Sequence, residues 1–243
     1  MRLLVANANT TEAITEACAQ AARAAASPGT EIIAATPRFG PAVIATRAEN
    51  VIAGHAVLEL LAEHAGKDAV LLAVSHDTAL DGARQLMPCP VIGMTEAACL
   101  TACMLGGRFG LITFGGVEQY RELIARYGLE SRLADIVAVN ATPPEAVADP
   151  DSVGTKVLAA TRALAAEGAN AVVLAGAALA GFDNRLQAAA PVPLLDGMAC
   201  GVRMAELMVA LRLPKPDAGS YAPMQNRNSI GLSPALAALL RGA

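Results

Sequence analysis

The chain has 243 residues, a net charge of −4, 54% hydrophobic and 16% charged residues, and a positive mean hydropathy. That balance excludes a disordered or fibrous protein and gives enough length for a sizeable core in one large domain or two small ones. Aromatic residues are only 3%, tryptophan is absent and no basic block occurs, so nothing builds a nucleic-acid footprint.

No stretch reaches the roughly 18 uninterrupted strongly apolar residues of a spanning helix. The nearest, residues 169–182, is short and rich in Ala and Gly. Met1 to Asn7 reads as a first β-strand and not as a signal peptide, so a cytoplasmic protein with no membrane partner is expected. The cysteines (Cys18, Cys89, Cys99, Cys103, Cys200) are odd in number and suggest no disulfide framework. Cys99 and Cys103 stand at i,i+4 and could offer two metal ligands. No third or fourth ligand lies nearby, and small apolar residues on a buried helix face are the better reading. Neither a metal nor a cofactor is expected.

In chain order, residues 3–7 form a strand ending in Asn7-Ala8-Asn9-Thr10-Thr11. Thr10 or Thr11 is placed to cap a helix running to about residue 26, with Glu12 in its first turn. Ser27-Pro28-Gly29 closes that helix, and residues 30–35 form a second strand. A Pro/Gly-rich loop over 36–42 is expected to lie over a ligand cleft. A helix over 48–65 follows, with Leu58, Leu61 and Ala62 on its apolar side. Residues 69–74 form a buried strand that runs into Ser75-His76-Asp77-Thr78, a helix through Met87 and a short strand at 90–94. A helix over 96–105 and a strand at 109–113 lead to the turn Phe114-Gly115-Gly116. Helix 117–127, strand 135–140, a polar connection, helix 151–167, strand 170–175, a further helix, strand 193–195 and helix 198–211 continue the alternation. Residues 214–228 read as irregular, and a last helix falls near 233–240.

Strands alternating with helices imply parallel sheets covered on both faces. The segment from Ala69 to Leu80 is matched by a second one beginning at Ala171, which sets Val74 opposite Gly176, 102 residues on. The fold class expected is therefore α/β, two pseudo-symmetric Rossmann-like lobes with an active-site cleft between them. The lobes are residues 1–96 plus 206–243, and residues 97–205.

In open parallel sheets ligands bind beyond the carboxyl ends of the strands. Four such ends carry polar or glycine turns here: Asn7 to Thr10, Ser75 to Thr78, Thr113 to Gly116, and Gly176 to Ala178. Their amides feed helix N-termini and suit an anion such as a carboxylate. The first strand lacks GxGxxG and no GxxxxGK[ST] occurs, so nucleotide sites lack their signature.

The chain resembles the aspartate/glutamate/hydantoin racemase superfamily, closest to its hydantoin and allantoin racemase branch. Asn7-Ala8-Asn9-Thr10-Thr11 is similar to that branch's N-P-N-T-T opening, with Ala8 in place of Pro. Asp77-Thr78-Ala79-Leu80-Asp81-Gly82-Ala83-Arg84 is similar to its D-T-G-L-D-A-A-R. Ser27-Pro28-Gly29-Thr30-Glu31, Gly40-Pro41-Ala42, Pro90-Val91-Ile92-Gly93, Gly107-Arg108-Phe109, Asp196-Gly197 and Gly219-Ser220-Tyr221 follow in register. The resemblance implies a substrate that is a small carboxylate or cyclic ureide, and a homo-oligomer. It also implies two cysteines facing each other across the cleft, one removing the α-proton and the other returning a proton on the opposite face. In register those positions are Val74 and Gly176, neither of which carries a proton.

Three readings follow. The protein is an isomerase-type proton-transfer enzyme using other groups, with His76 and Ser75 as the catalytic candidates and Asn7, Asn9, Ser75, His76, Thr78, Thr113, Phe114, Gly176 and Ala177 as substrate contacts. Alternatively Ser75 and His76 serve a cysteine-free lyase, decarboxylase or hydrolase, although adjacent residues do not make a triad. In the third reading the protein binds a small ligand without turnover. Beside these, Asp77 and Thr78 have a structural reading as caps of the following helix.

Overall fold

The computed structural model describes residues 1–223 and 226–242, apart from the side chains of Pro143, Val147 and Ala177. Met224 and Gln225, in the stretch expected to be irregular, lie outside the described residues. The chain begins with β1 (Arg2–Ala6), α1 (Glu12–Ala25), β2 (Glu31–Ala35), α2 (Arg47–Glu63), β3 (Ala69–Leu72), α3 (Leu80–Leu86), β4 (Val91–Gly93) and α4 (Met94–Leu105). It continues with β5 (Phe109–Thr113), α5 (Val117–Arg126), β6 (Leu133–Ala138), α6 (Pro143–Ala148), α7 (Pro150–Ala166) and β7 (Ala171–Leu174). The last elements are α8 (Phe182–Leu186), β8 (Leu194–Asp196), α9 (Gly197–Leu211) and α10 (Pro234–Arg241).

The chain forms two compact units, Met1–Gly93 with Val202–Ala243, and Met94–Gly201. The dividing points fall at the start of α4 and inside α9, slightly ahead of those expected from sequence. Each unit holds one four-stranded parallel sheet, ordered β2-β1-β3-β4 in the first and β6-β5-β7-β8 in the second. This is the α/β architecture of parallel sheets with flanking helices.

Burial explains the strand sequences. The central strands are covered on both faces, so β3 reads Ala-Val-Leu-Leu and β7 Ala-Val-Val-Leu without polar interruption, and every residue of both is buried. In the second unit the two faces separate cleanly. Ile112, Val172 and Leu174 meet Val157 and Leu164 of α7 on one side. Leu111, Ala171 and Val173 meet Ala98 and Cys99 of α4 and Ile124 of α5 on the other, the alternation of a pleated strand. In α1 the buried positions are Thr15, Cys18, Ala19 and Ala22, the i, i+3, i+4, i+7 stripe of a helix facing a sheet.

Two local expectations need correction. Thr11 occupies the N-cap position of α1 but makes no side-chain cap; its hydroxyl donates to the Ala42 carbonyl at 2.7 Å instead. The connection before α7 is more than a polar link. It holds the short helix α6, started by a capping box in which Thr142 Oγ1 accepts from the Glu145 amide and the Glu145 carboxylate accepts from the Thr142 amide.

The internal repeat holds in the hydrogen bonds. The Ala73 amide donates to Ala6 O and the Ala175 amide to Ile112 O, at 2.9 and 2.8 Å. The Asp77 amide donates to Val74 O and the Leu179 amide to Gly176 O, each at 3.0 Å. Leu72 pairs with Gly93, and Leu174 with Asp196. Val74 and Gly176 are therefore equivalent points of two copies of one hydrogen-bond pattern.

Candidate functional site

At the end of β1 the Asn7 side chain is buried and fully engaged. Its Nδ2 donates to Asn9 Oδ1 at 3.0 Å and to Thr15 Oγ1 at 2.9 Å, while its Oδ1 accepts from the Asn9 amide at 3.1 Å. Asn9 Oδ1 also accepts from the Thr11 amide at 3.0 Å. With its oxygen fixed by two donors, the Asn9 side chain is locked in orientation, and its Nδ2 is committed to no other described residue. Of the two asparagines expected at the substrate, Asn9 is the one able to donate to a ligand, and Asn7 is the one that sets its geometry. The loop after β2 secures this turn, with the Thr10 amide donating to Pro41 O at 3.0 Å and Thr36 Oγ1 lying 2.7 Å from Thr15 Oγ1.

The turn after β3 carries Ser75 and His76, both half-buried, and Asp77 and Thr78, both buried. Burial lowers the pKa of His76 below 6.5, so the imidazole is neutral near pH 7 and can accept a proton. The capping role for Asp77 and Thr78 does not take the expected form. The N-cap position of α3 is Ala79, in the left-handed region at φ 61 and without a side-chain cap. Thr78 Oγ1 donates to Asn50 Oδ1 at 2.6 Å, which ties the turn to α2. The Asp77 carboxyl lies over Gly93, where an added Cβ would collide with its Cγ and Oδ2 and stand 2.9 Å from Oδ1. Gly93 is thus needed to house a carboxyl contributed from the neighbouring strand-end turn.

In the second unit Thr113 is buried, and its hydroxyl donates to Gly115 O at 2.8 Å. It shapes the turn from within. Phe114 is half-buried, and its Cδ2 is the nearest atom, at 4.0 Å, to a Cβ built on Gly176. Space exists there, but Gly176 sits at φ 133, which an L side chain adopts only with strain. Ala177 opens the short 3-10 turn 177–179, and its side chain lies outside the described ones. No side chain from Gly176 to Ala180 is ionisable.

Asp196 is not among the site residues expected from sequence. It is buried at the end of β8, and its Oδ1 accepts from the Met198 amide at 2.8 Å. Burial pushes its pKa up to about 6, against hydrogen bonds from the Met198 and Gly181 amides. Because Leu72 pairs with Gly93 as Leu174 pairs with Asp196, the two units hold a carboxyl at one structural point, supplied from β8 in one and from the β3 turn in the other. The Asp-Gly pair marking a strand-to-helix junction was the available signal.

The five cysteines form no disulfide and lie in α1, in the loop before β4, in α4 and in α9. Burial raises both Cys89 and Cys200 to about 11, so these remain thiols and not reactive thiolates at neutral pH. Among the described residues no cluster of three His, Cys, Asp or Glu side chains is placed to hold a metal ion, and no helix is long and apolar enough to cross a membrane.

A family model described as Asp/Glu/hydantoin racemase matches residues 3–205. The chain belongs to that family. Proteins similar to it include the allantoin racemase of Pseudomonas fluorescens, 33% identical with a TM-score of 0.89, covering 95% of this chain and 100% of that one. The allantoin racemase of Klebsiella pneumoniae is 34% identical with a TM-score of 0.88, over 97% of this chain and 98% of that one. A hydantoin racemase of Paenarthrobacter aurescens is 33% identical, over 91% of this chain and 96% of the relative. The family's fold is the pair of parallel sheets described above, and its type of activity is isomerisation by a racemase.

Proposed function

We propose that the protein moves the α-proton of a small amino-acid-derived carboxylate or a cyclic ureide of the hydantoin or allantoin kind, with His76 as the base. One observation carries this reading. Of the two equivalent turns after β3 and β7, only the first bears an ionisable side chain just beyond the strand, and burial keeps that imidazole neutral. A nitrogen of His76 takes the α-proton, and the bonding pair moves toward the adjacent carbonyl to form an enolate. Asn9 Nδ2 and the amides of the turns after β1 and β3 are the donors suited to that oxygen. Collapse of the enolate takes a proton either back from the imidazolium or from water on the other face.

The relatives' names supply the substrate class, and the Asn7–Asn9 lock supports a carbonyl- or carboxylate-bearing ligand. Binding without turnover is the second reading. It is favoured by Val74 and Gly176, which carry no proton at the positions the resemblance gives to cysteines. His76→Gln separates the two. Loss of a general base should lower kcat by about 100-fold or more while the melting temperature is kept, and unchanged turnover would remove His76 from the mechanism. The wild-type rate should rise with pH through the His76 pKa, which lies below 6.5, and then level off, because only the neutral imidazole accepts the proton.

A further inference from the structure

The first unit holds a largely apolar concavity beside α2, with carboxylates on its wall. Glu59, Leu60 and Glu63 of that helix line it together with Arg38 and Phe39 from the loop after β2 and Ser233 at the N-cap of α10. The cavity is about 230 Å³, below the roughly 300–1,000 Å³ of drug-sized ligand sites, so its occupant is small.

Its chemistry is lopsided. Glu59 Oε1 accepts from the Ser233 amide at 3.2 Å and stands 3.4 Å from His55 Nε2. Glu59 Oε2 is buried and accepts no hydrogen bond. A buried carboxylate oxygen left without a donor is unfavourable, and a cationic N–H donor at the Glu59 carboxylate is the group that offsets it. Arg38 meets Glu63 at 3.3 Å while its side chain remains 81% exposed, so its positive charge lies at the rim and Glu59 is the carboxylate not paired with it. Phe39 stands edge-on to His55 with ring centroids 5.2 Å apart, and its ring and the Leu60 side chain provide the apolar surface.

We infer that this cavity binds a small protonated amine, its N–H donors on Glu59 and its apolar body between Phe39 and Leu60. An ammonium answers the missing hydrogen bond and the Glu59 charge together. A carboxylate answers neither. The inference stands apart from the reaction proposed for the strand-end turns, because it uses none of their residues.

The test is titration calorimetry on the whole chain with benzylamine, with benzoate as the charge-reversed probe. Saturable binding of one benzylamine per chain is expected, with benzoate silent. Glu59→Gln should weaken benzylamine at least about 10-fold, equivalent to about 1.4 kcal/mol. Phe39→Ala removes a ring that is 42% exposed, so this variant keeps the fold and should weaken binding even if Glu59→Gln does not fold. Absence of saturable binding, equal binding of benzoate, or unchanged affinity in a folded variant would each overturn the assignment.

Discussion

The turns after β3 and β7 share their register, their i to i+3 hydrogen bond and their place in the sheet, yet differ in what they carry. The first presents Ser75, His76 and a buried Asp77; the second presents Gly176 at φ 133 followed by alanines and a leucine. The duplicate turns keep the hydrogen bonds and the register, while their side chains and the backbone dihedrals at Val74 and Gly176 differ. The buried carboxyl shows the limit of that freedom. Both units keep one beside the junction of the last strand and the next helix, although Asp77 and Asp196 are not equivalent in sequence. An acceptor oxygen at a helix N-terminus meets amides that have no partner within the helix, as Asp196 does at the Met198 amide.

The exchanged carboxyl gives the largest expected effect on stability. Gly93→Ala forces a methyl into the Asp77 carboxyl and should cost about 3 kcal/mol in chemical denaturation. A loss below about 1 kcal/mol would mean that Asp77 is not held there. In the second unit Asp196 should write itself into the pH dependence. Its pKa rises from 3.8 to about 6 on folding, so between those values the folded state holds a proton that the unfolded state releases. Stability should therefore fall as pH rises through that window, by on the order of 2 kcal/mol, and level off above it. Asp196→Asn should flatten this slope, and a variant with the wild-type profile would contradict it.

The two equivalent strand ends should also respond unequally to the same residue. Val74 is not among the residues with positive φ, and Gly176 is. Gly176→Cys should thus cost about 1–2 kcal/mol through the backbone, whereas Val74→Cys should stay within about 1 kcal/mol of the wild type. Equal melting temperatures for the two variants would show that the Gly176 backbone relaxes freely. The smallest effect expected is at Ala79, whose φ of 61 is left-handed. Ala79→Gly should stabilise by up to about 1 kcal/mol, the strain relieved less the extra entropy of glycine in the unfolded chain. Destabilisation would indicate that the Ala79 methyl, 3.7 Å from a Cβ built on Gly54, packs more than it strains.

Alternation of apolar runs with helical stripes makes both sheets legible in the sequence, and the repeat locates the equivalent strand ends. Helix α6 is legible too, since Thr142-Pro143-Pro144-Glu145 spells a capping box, but its two prolines suggest only punctuation. The direction of individual polar groups is not written in the sequence. Asn7 and Asn9 are the same residue type two positions apart, and only the hydrogen bonds separate the buried lock from the available donor. The need for glycine at 93 lies in Asp77, in the turn after another strand, and Asp196 reveals its shifted pKa only once burial is known.

The central claim is that proton chemistry resides at His76 and has no ionisable counterpart at the β7 turn. Incubating the separate enantiomers of a 5-substituted hydantoin and of allantoin with the protein in deuterated water, followed by NMR at the α-carbon, tests it directly. Proton transfer at His76 predicts enzyme-dependent deuterium incorporation into one enantiomer, faster than its conversion into the other, and abolished by His76→Gln. No exchange on either compound, while one of them still raises the melting temperature, would contradict that chemistry and leave a ligand-binding protein.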